Sequence, residues 1–594
     1  METHKDMTNA QVGQLLREIA AAYEVLGEDR FRLRAYDTAA ESIEKTTAPL
    51  KDLWQQHQLE DIPGIGSSLA GHLDELFTTG RVNHFDSIKK KLPPAMFELL
   101  DVPGIGPKTA LKLTQNLNLK PTTARSQLLQ AAQAGKISHI SGFGEESQQD
   151  IIQALRELPQ AHQQRILLID AEITAQKVID YLKKNSAVRE VAPLGSLRRR
   201  NATVGDIDLA VATTDSQTII QHFLHYPGVK QVLAAGENTA RIIDHSDHQI
   251  DIKTVPPANY GALLQHFTGS KAHNVHLREL ALQKGWSLSE YGIKIKGKLH
   301  AFAQEADFYA ALRLPWIPPE LREDTGEIEA ALNHRLPSLV ELKHIQGDLH
   351  THTNFNWHVS HDPGINSIEE LVIAATKLGY AYIGIGDHQP STSTYKTDQK
   401  LIIEVARRTK AIEQIKSKHE KTVKNRSIKV LNTLEVDIRT DGSLALPDSA
   451  LDLLDFAIVS VHSNFRQTET VITQRILKGL SHPKAKILGH PTGRLLNKRP
   501  SYDADWPKIF DFCRHHRKAL EVNAEPHRLD LPDSLIRQAI KAQVKLVINT
   551  DSHDVNHLKV MPYGVATARR GWATPEDIIN TWPWDKFSQF VLES

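Results

Sequence analysis

The chain has 594 residues, a length that predicts about four domains at roughly 150 residues each. Hydrophobic residues make up 40% and charged residues 24% of the chain, close to globular averages, which excludes disordered and fibrous proteins. The single cysteine, Cys513, excludes a secreted scaffold held by disulfides and a cysteine-rich metal site. The 71 basic and 71 acidic residues cancel, but basic grooves and acidic metal sites can still coexist as separate surfaces.

Two further features of composition narrow the class. The chain contains no apolar run of about 18 residues and no apolar signal-peptide core, so we expect a cytoplasmic protein that does not enter a membrane. Thirty histidines are present, and imidazole is the usual protein ligand of zinc and other first-row metals. Any metal sites must therefore use histidines and carboxylates.

The first 160 residues have helical periodicity. An amphipathic helix is predicted between Thr8 and Gly27, and three similar turns interrupt the later pattern. These turns are Ile62-Pro63-Gly64-Ile65-Gly66, Val102-Pro103-Gly104-Ile105-Gly106 and Ile140-Ser141-Gly142-Phe143-Gly144. We interpret them as internal repeats of one helical hairpin, within two helical domains at 1–82 and 83–160.

The remainder of the chain has α/β patterning. Strand-like runs at 206–212 and 249–255, with a helix near 171–184, predict a compact α/β module over 161–258. A mostly helical segment follows at 259–320 and ends in the proline-rich stretch 315–319, after which a charged segment is predicted to be a linker at 321–342. From residue 343 to the end, short apolar runs alternate with helical stretches, which predicts a parallel β/α barrel. These runs are 382–386, 430–436, 456–461, 487–489, 519–522 and 546–549.

Glycine-rich turns between two helices can present backbone N–H groups to a phosphate. Such helix-hairpin-helix units bind the backbone of a nucleic acid and make no base-specific contacts. A single copy is equally well explained as a plain helical hairpin, but repetition favours DNA binding. The predicted DNA-binding positions are Gly64, Gly66, Gly104 and Gly106.

The strongest motif of the first half is Gly195-Ser196-Leu197-Arg198-Arg199, followed shortly by Asp206-Ile207-Asp208. Alternation places Asp206 and Asp208 on one face of a strand, where Asp251 of a neighbouring strand can join them. Three such carboxylates suit two Mg²⁺ ions for phosphoryl transfer, with Ser196 and Arg199 placed to hold a triphosphate.

These residues resemble the nucleotidyltransferase palm of the family X DNA polymerases, over residues 1 to about 320. The resemblance implies that Asp206, Asp208 and Asp251 are catalytic and bind two Mg²⁺ or Mn²⁺ ions, with Asp251 as the base for the primer 3′-hydroxyl. A helical thumb is implied over 259–320, with Arg278 on the template strand. The implied dNTP-binding residues are Gly195, Ser196, Arg199, Gly205, Phe267, Gly269 and Asn274.

The chain departs from the family pattern at three positions. Arg200 replaces a glycine beside the triphosphate loop, and His266 replaces a tyrosine near the sugar of the incoming nucleotide. His72 stands where lyases of the family have a lysine that forms a Schiff base. We therefore expect weak or absent 5′-deoxyribose-phosphate lyase activity.

Histidines and carboxylates follow nearly every apolar run of the second half. Because the ends of parallel barrel strands share one rim, these side chains are expected to converge on a site for several Zn²⁺, Mn²⁺ or Fe²⁺ ions. This half resembles the polymerase and histidinol phosphatase (PHP) domain over about 343–594. The resemblance implies these metal ligands: His350, His352, Asp362, His388, Glu435, His462, His490, Asp551 and His553.

One ligand of this set has alternatives. The segment after His350-Thr351-His352 is longer than is usual in the family, and His358 or His361 can take the place of Asp362. Asp387 and Glu521 are expected to orient ligand imidazoles.

The combined resemblance is to a bacterial or archaeal family X polymerase, and it implies a multidomain chain: helix-hairpin-helix domains, palm, helical thumb and C-terminal barrel. The implied function is filling of short gaps in base excision repair, using dNTPs on gapped or nicked DNA, with a PHP 3′→5′ exonuclease and AP endonuclease. We expect a monomer. The alternatives are a PHP nuclease whose polymerase half only binds DNA, a small-molecule phosphatase, and a repair scaffold without catalysis.

Overall fold

The structure is a computed structural model that describes residues 7, 9–27, 30–44, 50, 54, 59–62, 65–100, 102, 105–157, 165–422 and 428–593. The chain divides into two compact units, Met1–Gln163 and Gln164–Ser594. Within the described residues, no helix combines the length and the apolar character needed to cross a membrane.

The first unit is helical. Its apolar helix faces meet in one core, in which Leu16, Ile19 and Leu73 are fully buried. The predicted first helix is confirmed, one residue inside each of its proposed ends. The helices are α1 (Asn9–Leu26), α2 (Arg30–Glu44), α3 (Ser67–Thr79), α4 (Asn83–Lys89), α5 (Ala95–Glu98), α6 (Pro107–Asn116), α7 (Ala124–Gln133) and α8 (Glu145–Glu157).

The three glycine turns share one hydrogen-bond pattern. The N–H groups of Ile65, Ile105 and Phe143 each donate to the carbonyl three residues earlier, with an N···O distance of 3.0 Å in all three turns. Each turn then ends in a glycine whose carbonyl accepts the first hydrogen bonds of the next helix. The repeats predicted from sequence are therefore one structural unit used three times.

The α/β module of the second unit is a five-stranded sheet. Its strand order is β2-β4-β7-β6-β5, and only β4 and β7 run parallel. A short antiparallel pair, β1 and β3, lies beside it. The strands are β1 (Ile166–Leu167), β2 (Glu190–Pro193), β3 (Thr203–Val204), β4 (Ile207–Ala212), β5 (Val229–Ala235), β6 (Thr239–Asp244) and β7 (Gln249–Val255). The helices are α9 (Leu168–Leu182), α10 (Gly195–Arg198) and α11 (Ser216–Leu224). We call residues 165–259 the palm.

The next segment, residues 260–332, packs as a second small core that we call the thumb. Helices α12 (Tyr260–Thr268), α13 (Lys271–Gln283), α14 (Glu305–Ala311) and α15 (Glu327–Leu332) enclose it, beside the hairpins of β8 (Ser287–Ser289), β9 (Gly292–Ile295) and β10 (Lys298–His300). The segment that the sequence assigned to a linker begins inside this core, because Leu321 and Ile328 are buried there. Its charged composition hides this core, since buried apolar residues recur among the charged ones.

The last module is a barrel of seven parallel strands in chain order. A parallel bridge between Thr351 and Ser552, just beyond the first and last strands, brings the two edges together. The six predicted strands are confirmed within one or two residues at each end. The strands are β11 (Gly347–Asp348), β12 (Tyr382–Ile385), β13 (Lys429–Asp437), β14 (Phe456–Ser460), β15 (Ala485–Leu488), β16 (Ala519–Asn523) and β17 (Lys545–Asn549). The helices are α16 (Ile368–Lys377), α17 (Asp398–Thr422), α18 (Asp448–Leu451), α19 (Glu469–Leu480), α20 (Trp506–His515), α21 (Asp533–Lys541), α22 (Met561–Arg570) and α23 (Trp584–Leu592).

The barrel shares cores with the palm and the thumb. Leu529 of a barrel loop is fully buried in the palm core, and Leu496 and Tyr563 pack against the same cluster. Trp572 is buried in the thumb core. Apolar side chains from three modules are thus buried in shared cores. This burial explains why residues 164–594 form one compact unit.

Candidate active sites

Three aspartates converge at one edge of the palm sheet. Asp208 and Asp251 are direct neighbours in the parallel pair β4 and β7, and Asp206 lies just before β4. One carboxylate oxygen of each lies within 4.8 Å of the others. The predicted triad is therefore assembled by strand register.

This triad has the electrostatics of a cation site. Burial raises the pKa of Asp208 to about 6, and the carboxylates of Asp206 and Asp251 add to the shift. Burial and the charge of Asp251 also raise the pKa of Asp206. Arg241 Nε donates to Asp251 Oδ1 at 2.6 Å, which neutralises part of the negative charge. The oxygen donors that remain fit hard divalent cations such as Mg²⁺.

The predicted triphosphate loop packs against the triad. Gly195 has a φ of +55°, and a Cβ there would lie 3.1 Å from Asp208 Oδ2, so both conformation and space favour glycine. Ser196 lies in the helical turn α10 beside it, and Gly205 immediately precedes Asp206.

Arg199 and Arg200 point to different partners. Arg199 donates NH1 to the Thr268 carbonyl at 2.6 Å and Nε to Glu323 at 2.9 Å, joining palm and thumb. Arg200 donates NH1 to Glu172 of α9 at 2.6 Å. The guanidinium of Arg200 also lies 5.7 Å from the ring centre of Tyr563 in the barrel module.

The thumb residues lie on α12 and α13. Asn274 donates Nδ2 to the His266 carbonyl at 2.6 Å and accepts from Gln265, so hydrogen bonds fix its amide. Phe267 is half-buried under Lys253 Nζ, which lies 4.5 Å from its ring centre. Gly269 follows α12, and Arg278 is exposed one turn after Asn274. Burial lowers the pKa of His266, which keeps its imidazole neutral.

The helix-hairpin-helix glycines are described in part. Gly66 and Gly106 are exposed at the N-termini of α3 and α6, with open space where a side chain would be. Gly64 and Gly104 lie outside the described residues. The two described positions leave room for a phosphate to approach the backbone.

At the barrel rim, the predicted ligands form linked groups. Within each group, the possible ligand atoms lie within 4.8 Å of one another, and His352, His388 and His462 each belong to two groups. The residues therefore form one continuous site. The groups are His350, His352 and Asp551; Glu435, His462 and His490; His352, His388 and His553; and His361, His388 and His462.

Glu435 is the centre of this site. Its Oε1 is 2.8 Å from His490 Nε2 and 3.3 Å from His462 Nε2. Its Oε2 is 3.2 Å from His350 Nε2 and 2.9 Å from His388 Nδ1. Burial alone would raise the pKa of Glu435, but the surrounding imidazoles hold it well below its usual range. One ionised carboxylate thus faces four imidazoles.

The donor set fits several borderline metal ions. Buried atoms of the site make no hydrogen bond within the described chain, although buried polar atoms are normally paired. Burial and the imidazoles of His553 and His388 hold the pKa of His352 well below its usual range, which favours the neutral, metal-ligating form. Two ring nitrogens have no carboxylate contact either, His352 Nδ1 and His490 Nδ1, whereas His350 Nε2 and His388 Nδ1 face Glu435 Oε2.

The sequence left one metal ligand open between Asp362, His361 and His358. In the structure, two of these residues lie at the rim. His361 joins His388 and His462 in a metal-sized group, and its Nε2 is 3.3 Å from Asp437 Oδ1. Asp362 is 78% exposed, with its oxygens 3.7 Å from His388 Nε2 and 3.4 Å from His553 Nε2. His358 lies apart, with its ring beside Tyr395. The geometry favours His361 and Asp362 over His358.

Residues behind the ligands hold them in place. Glu521 accepts from His350 Nδ1 at 2.8 Å and from the His490 backbone N–H at 2.7 Å. Asp387 accepts from the Thr353 backbone N–H and from Arg408 Nε, so it fixes the loop after His352 rather than an imidazole.

Three charged residues at these sites are not among those predicted from the sequence: Arg241, Asp437 and Arg528. Asp437 Oδ1 is 2.7 Å from His462 Nδ1, and Arg528 Nε is 3.7 Å from Asp551 Oδ2. Asp437 lies two residues after Glu435 at the end of β13, so the period of two along a strand gave a usable signal. Arg241 and Arg528 reach their sites from distant segments and have no local signal.

The fold and sites define a nucleotidyltransferase palm and thumb joined to a β/α barrel whose rim carries several groups that could hold a metal ion. Family models match four parts of the chain: a helix-hairpin-helix domain at 7–82, a SAM-like helix-hairpin-helix tandem at 96–157, the DNA polymerase beta thumb at 263–323 and the PHP domain at 348–525.

Similar curated proteins match either almost the whole chain or about half of it. A Bacillus subtilis (strain 168) protein named DNA polymerase/3′-5′ exonuclease PolX is 32% identical over 579 residues, 97% of each chain. Proteins named DNA polymerase lambda are 24% identical in Arabidopsis thaliana and 26% in Rattus norvegicus, each over 53% of this chain. These matches cover 62% and 56% of those two relatives. The chain belongs to the family X DNA polymerases that carry a C-terminal PHP domain.

Proposed function

We propose that this protein is a DNA-directed DNA polymerase that fills short gaps during DNA repair and trims primer 3′ ends with its PHP barrel. The observation that carries the polymerase assignment is the convergence of Asp206, Asp208 and Asp251 beside the Gly195 turn. The similarity to the Bacillus subtilis relative along almost the whole chain supports both activities.

In the polymerase site, two Mg²⁺ or Mn²⁺ ions held by the three aspartates would activate the primer hydroxyl and stabilise the leaving oxygen. Asp251 would accept the hydroxyl proton. Gly195, Ser196, Arg199 and Gly205 would hold the triphosphate, while Phe267, Gly269 and Asn274 would position sugar and base. Arg199 already joins palm and thumb through Thr268 and Glu323, so nucleotide binding would exchange part of these contacts for phosphate oxygens.

In the barrel, up to three Mn²⁺, Zn²⁺ or Fe²⁺ ions would supply an activated water and polarise the scissile phosphate. The proposed ligands are the nine predicted residues, with His361 beside Asp362 at the position that has alternatives. Glu521 would hold the His350 ring by accepting a hydrogen bond from its Nδ1. The same site would cleave abasic DNA, because that reaction also breaks a phosphodiester bond.

The proposed substrates are gapped or nicked duplex DNA and dNTPs. The glycine turns, including Gly64 and Gly104, would bind backbone phosphates, and Arg278 would contact the template strand. We propose that the protein acts as a monomer in the cytoplasm.

The polymerase assignment is tested by primer extension with the Asp208→Asn variant. Loss of one metal-binding charge should lower extension at least 100-fold, about the effect of removing one catalytic electrostatic group. Asp247→Asn is the matched control, because Asp247 is 73% exposed on the β6–β7 turn. Equal extension by both variants would reject the assignment.

The barrel assignment is tested by metal content and by degradation of a labelled primer without dNTPs. His352→Ala should lose bound metal and 3′→5′ degradation, whereas His515→Ala, at a position 58% exposed on α20, should keep both. Retention of full nuclease activity by the His352→Ala protein would reject the assignment.

The nuclease-only alternative rested on Arg200 and His266. Arg200 is bound to Glu172 and lies near Tyr563, so its guanidinium is engaged away from the triad. This observation favours a working polymerase site.

A further inference from the structure

A cavity of about 190 Å³ lies between the palm and the barrel, outside both metal sites. Four arginines line it: Arg165 and Arg200 from the palm, and Arg494 and Arg570 from the barrel module. Asp533 is the one carboxylate among its lining residues. Two modules thus bring four guanidinium groups around one small space.

Two of these arginines each keep one N–H group that could donate to a ligand. Arg165 uses Nε and NH2 on the hydroxyl and carbonyl of Thr203, at 2.9 and 2.8 Å. Arg494 uses Nε and NH2 on the carbonyls of Arg528 and Leu529. No partner within the described chain accepts a hydrogen bond from NH1 of Arg165 or of Arg494.

The nearby carboxylates do not balance the charge of the cavity. Asp533 is paired with Arg570 NH2 at 2.6 Å, and Glu172 is paired with Arg200. Glu323 is shared between Arg570 and Arg199. Asp530 is a further carboxylate near Arg494, and Arg528 lies near it as well. Six guanidiniums in and beside the cavity, Arg199 and Arg528 included, are thus grouped with four carboxylates. Burial also lowers the pKa of Arg494, the response expected of a cation withdrawn from water without a full counter-charge.

We propose that this cavity binds a phosphate group that bridges the palm and the barrel. Guanidinium groups match phosphate oxygens in charge and fork geometry. Pockets for drug-sized ligands occupy about 300–1,000 Å³, so this smaller cavity suits one phosphate group rather than a whole nucleotide. The phosphate comes either from free inorganic phosphate or from the backbone of a DNA strand.

The walls of the cavity belong to loops that lie next to the two metal sites. Its palm wall includes Asn201 and Thr203, which precede Asp206 in the chain. On the barrel side, Arg494 holds the loop that carries Arg528 to within 3.7 Å of Asp551. A phosphate held from both walls would stabilise the two loops next to the two metal sites.

The first test measures thermal unfolding of the full chain in phosphate and in chloride at equal ionic strength. Phosphate should raise the Tm of the wild type by about 2–4 °C. The shift should fall by at least half in Arg200→Gly and in Arg494→Gln. Arg569→Gln is the matched control, because Arg569 pairs with Glu320 and does not line the cavity.

At least one of the two cavity variants is expected to fold, so the test has a clear outcome. Position 200 has a φ of +60°, which suits glycine, so Arg200→Gly should fold even if Arg494→Gln does not. An equal phosphate shift in the wild type, Arg200→Gly and the Arg569→Gln control would overturn the proposal. The absence of any phosphate shift in the wild type, together with unchanged DNA binding in Arg200→Gly, would overturn it too.

A second measurement separates the two sources of phosphate. Binding of a labelled single-stranded oligonucleotide is followed at several salt concentrations for the wild type and Arg200→Gly. If a backbone phosphate occupies the cavity, the variant should bind more weakly and its salt slope should fall by about 1. If free phosphate is the ligand, DNA binding should not change while the Tm shift is still lost.

Discussion

Arg200 has a backbone conformation that usually belongs to glycine. Its φ of +60° lies in the left-handed region, which costs a non-glycine residue roughly 1–2 kcal/mol. The ion pair with Glu172 at 2.6 Å gives the arginine a role that a glycine could not fill. The sequence showed the unusual residue, but only the fold shows that its side chain faces the barrel module.

The structure brings predicted site residues together where a motif sets their spacing. Asp206 and Asp208, two residues apart on one strand, needed only the period of a strand. His361 and Asp362 could not be separated by sequence, because the loop between His352 and α16 has no period that fixes which side chain faces the rim. Arg528 was missed because its neighbours are set by tertiary packing alone.

The imidazole of His72 predicts weak or absent 5′-deoxyribose-phosphate lyase activity. His72 Nδ1 is 3.1 Å from the Tyr36 hydroxyl, and its ring stacks on His84 at 5.0 Å between ring centres. Borohydride should trap almost no adduct with an incised abasic substrate, because imidazole forms no Schiff base. His72→Lys should raise the trapped adduct at least tenfold. A tetrahydrofuran analogue, which cannot form a Schiff base, is the control, and a strong adduct with the wild type would contradict this prediction.

His266 predicts the sugar selectivity of the polymerase site. Its neutral ring packs edge-on against Phe267 at 4.7 Å between centres, and its carbonyl anchors Asn274. His266→Tyr adds a larger ring while leaving the backbone carbonyl in place. We expect it to lower incorporation of ribonucleotides relative to dNTPs by about tenfold, measured as the ratio of kcat/KM values. An unchanged ratio would show that residue 266 does not sense the sugar.

At the scale of elements, the thumb is fastened to the palm by a buried ionic network. Glu305 at the start of α14 accepts from Arg198 of α10 and from Arg322, at 2.6–2.9 Å. Burial alone would raise the pKa of Glu305, but the two guanidiniums lower it to about 2. Arg322 is fully buried, so the network depends on each of its members.

Glu305→Gln should therefore destabilise the thumb by about 3–5 kcal/mol, because it leaves the buried guanidinium of Arg322 and the partly buried one of Arg198 without their carboxylate. Hydrogen exchange of α14 measures this loss, with Asp307→Asn, exposed on the same helix, as the control. Because the folded pKa is depressed from the ordinary 4.5, stability from Glu305 is full above about pH 4.5 and is lost as the pH falls toward 2. Equal exchange in both variants would contradict the network's role.

The elements predicted from sequence were those with a continuous period. Six barrel strands and the palm strands β4 and β7 are buried apolar runs, which a sequence shows directly. The thumb strands β8 to β10 have three or four residues each and mixed burial, so no period is long enough to identify them. The start of the linker segment was misjudged for the same reason, since its buried residues lie among charged ones.

At the scale of the whole molecule, the barrel depends on the palm and thumb for burial of its own surface. Leu529 is fully buried against the palm, and Trp572 against the thumb. Burying one such side chain contributes about 1.5–3 kcal/mol. No sequence pattern identifies these contacts, because they join segments more than 200 residues apart.

A fragment of residues 343–594 alone should expose these apolar side chains and associate. Light scattering coupled to size-exclusion chromatography should find oligomers or aggregates for this fragment, whereas residues 164–594 should remain monomeric. A stable monomeric barrel fragment would contradict the shared-core account.

The central claim is that one chain carries two chemically independent active sites. The most direct measurement follows a 5′-labelled primer at a one-nucleotide gap with a 5′-phosphate, with and without dNTPs, in Mg²⁺ or Mn²⁺. We predict that Asp208→Ala loses extension but still shortens the primer, and that His352→Ala extends the primer but no longer shortens it. Loss of both activities in either folded variant, or equal shortening without any extension in the wild type and Asp208→Ala, would contradict the claim.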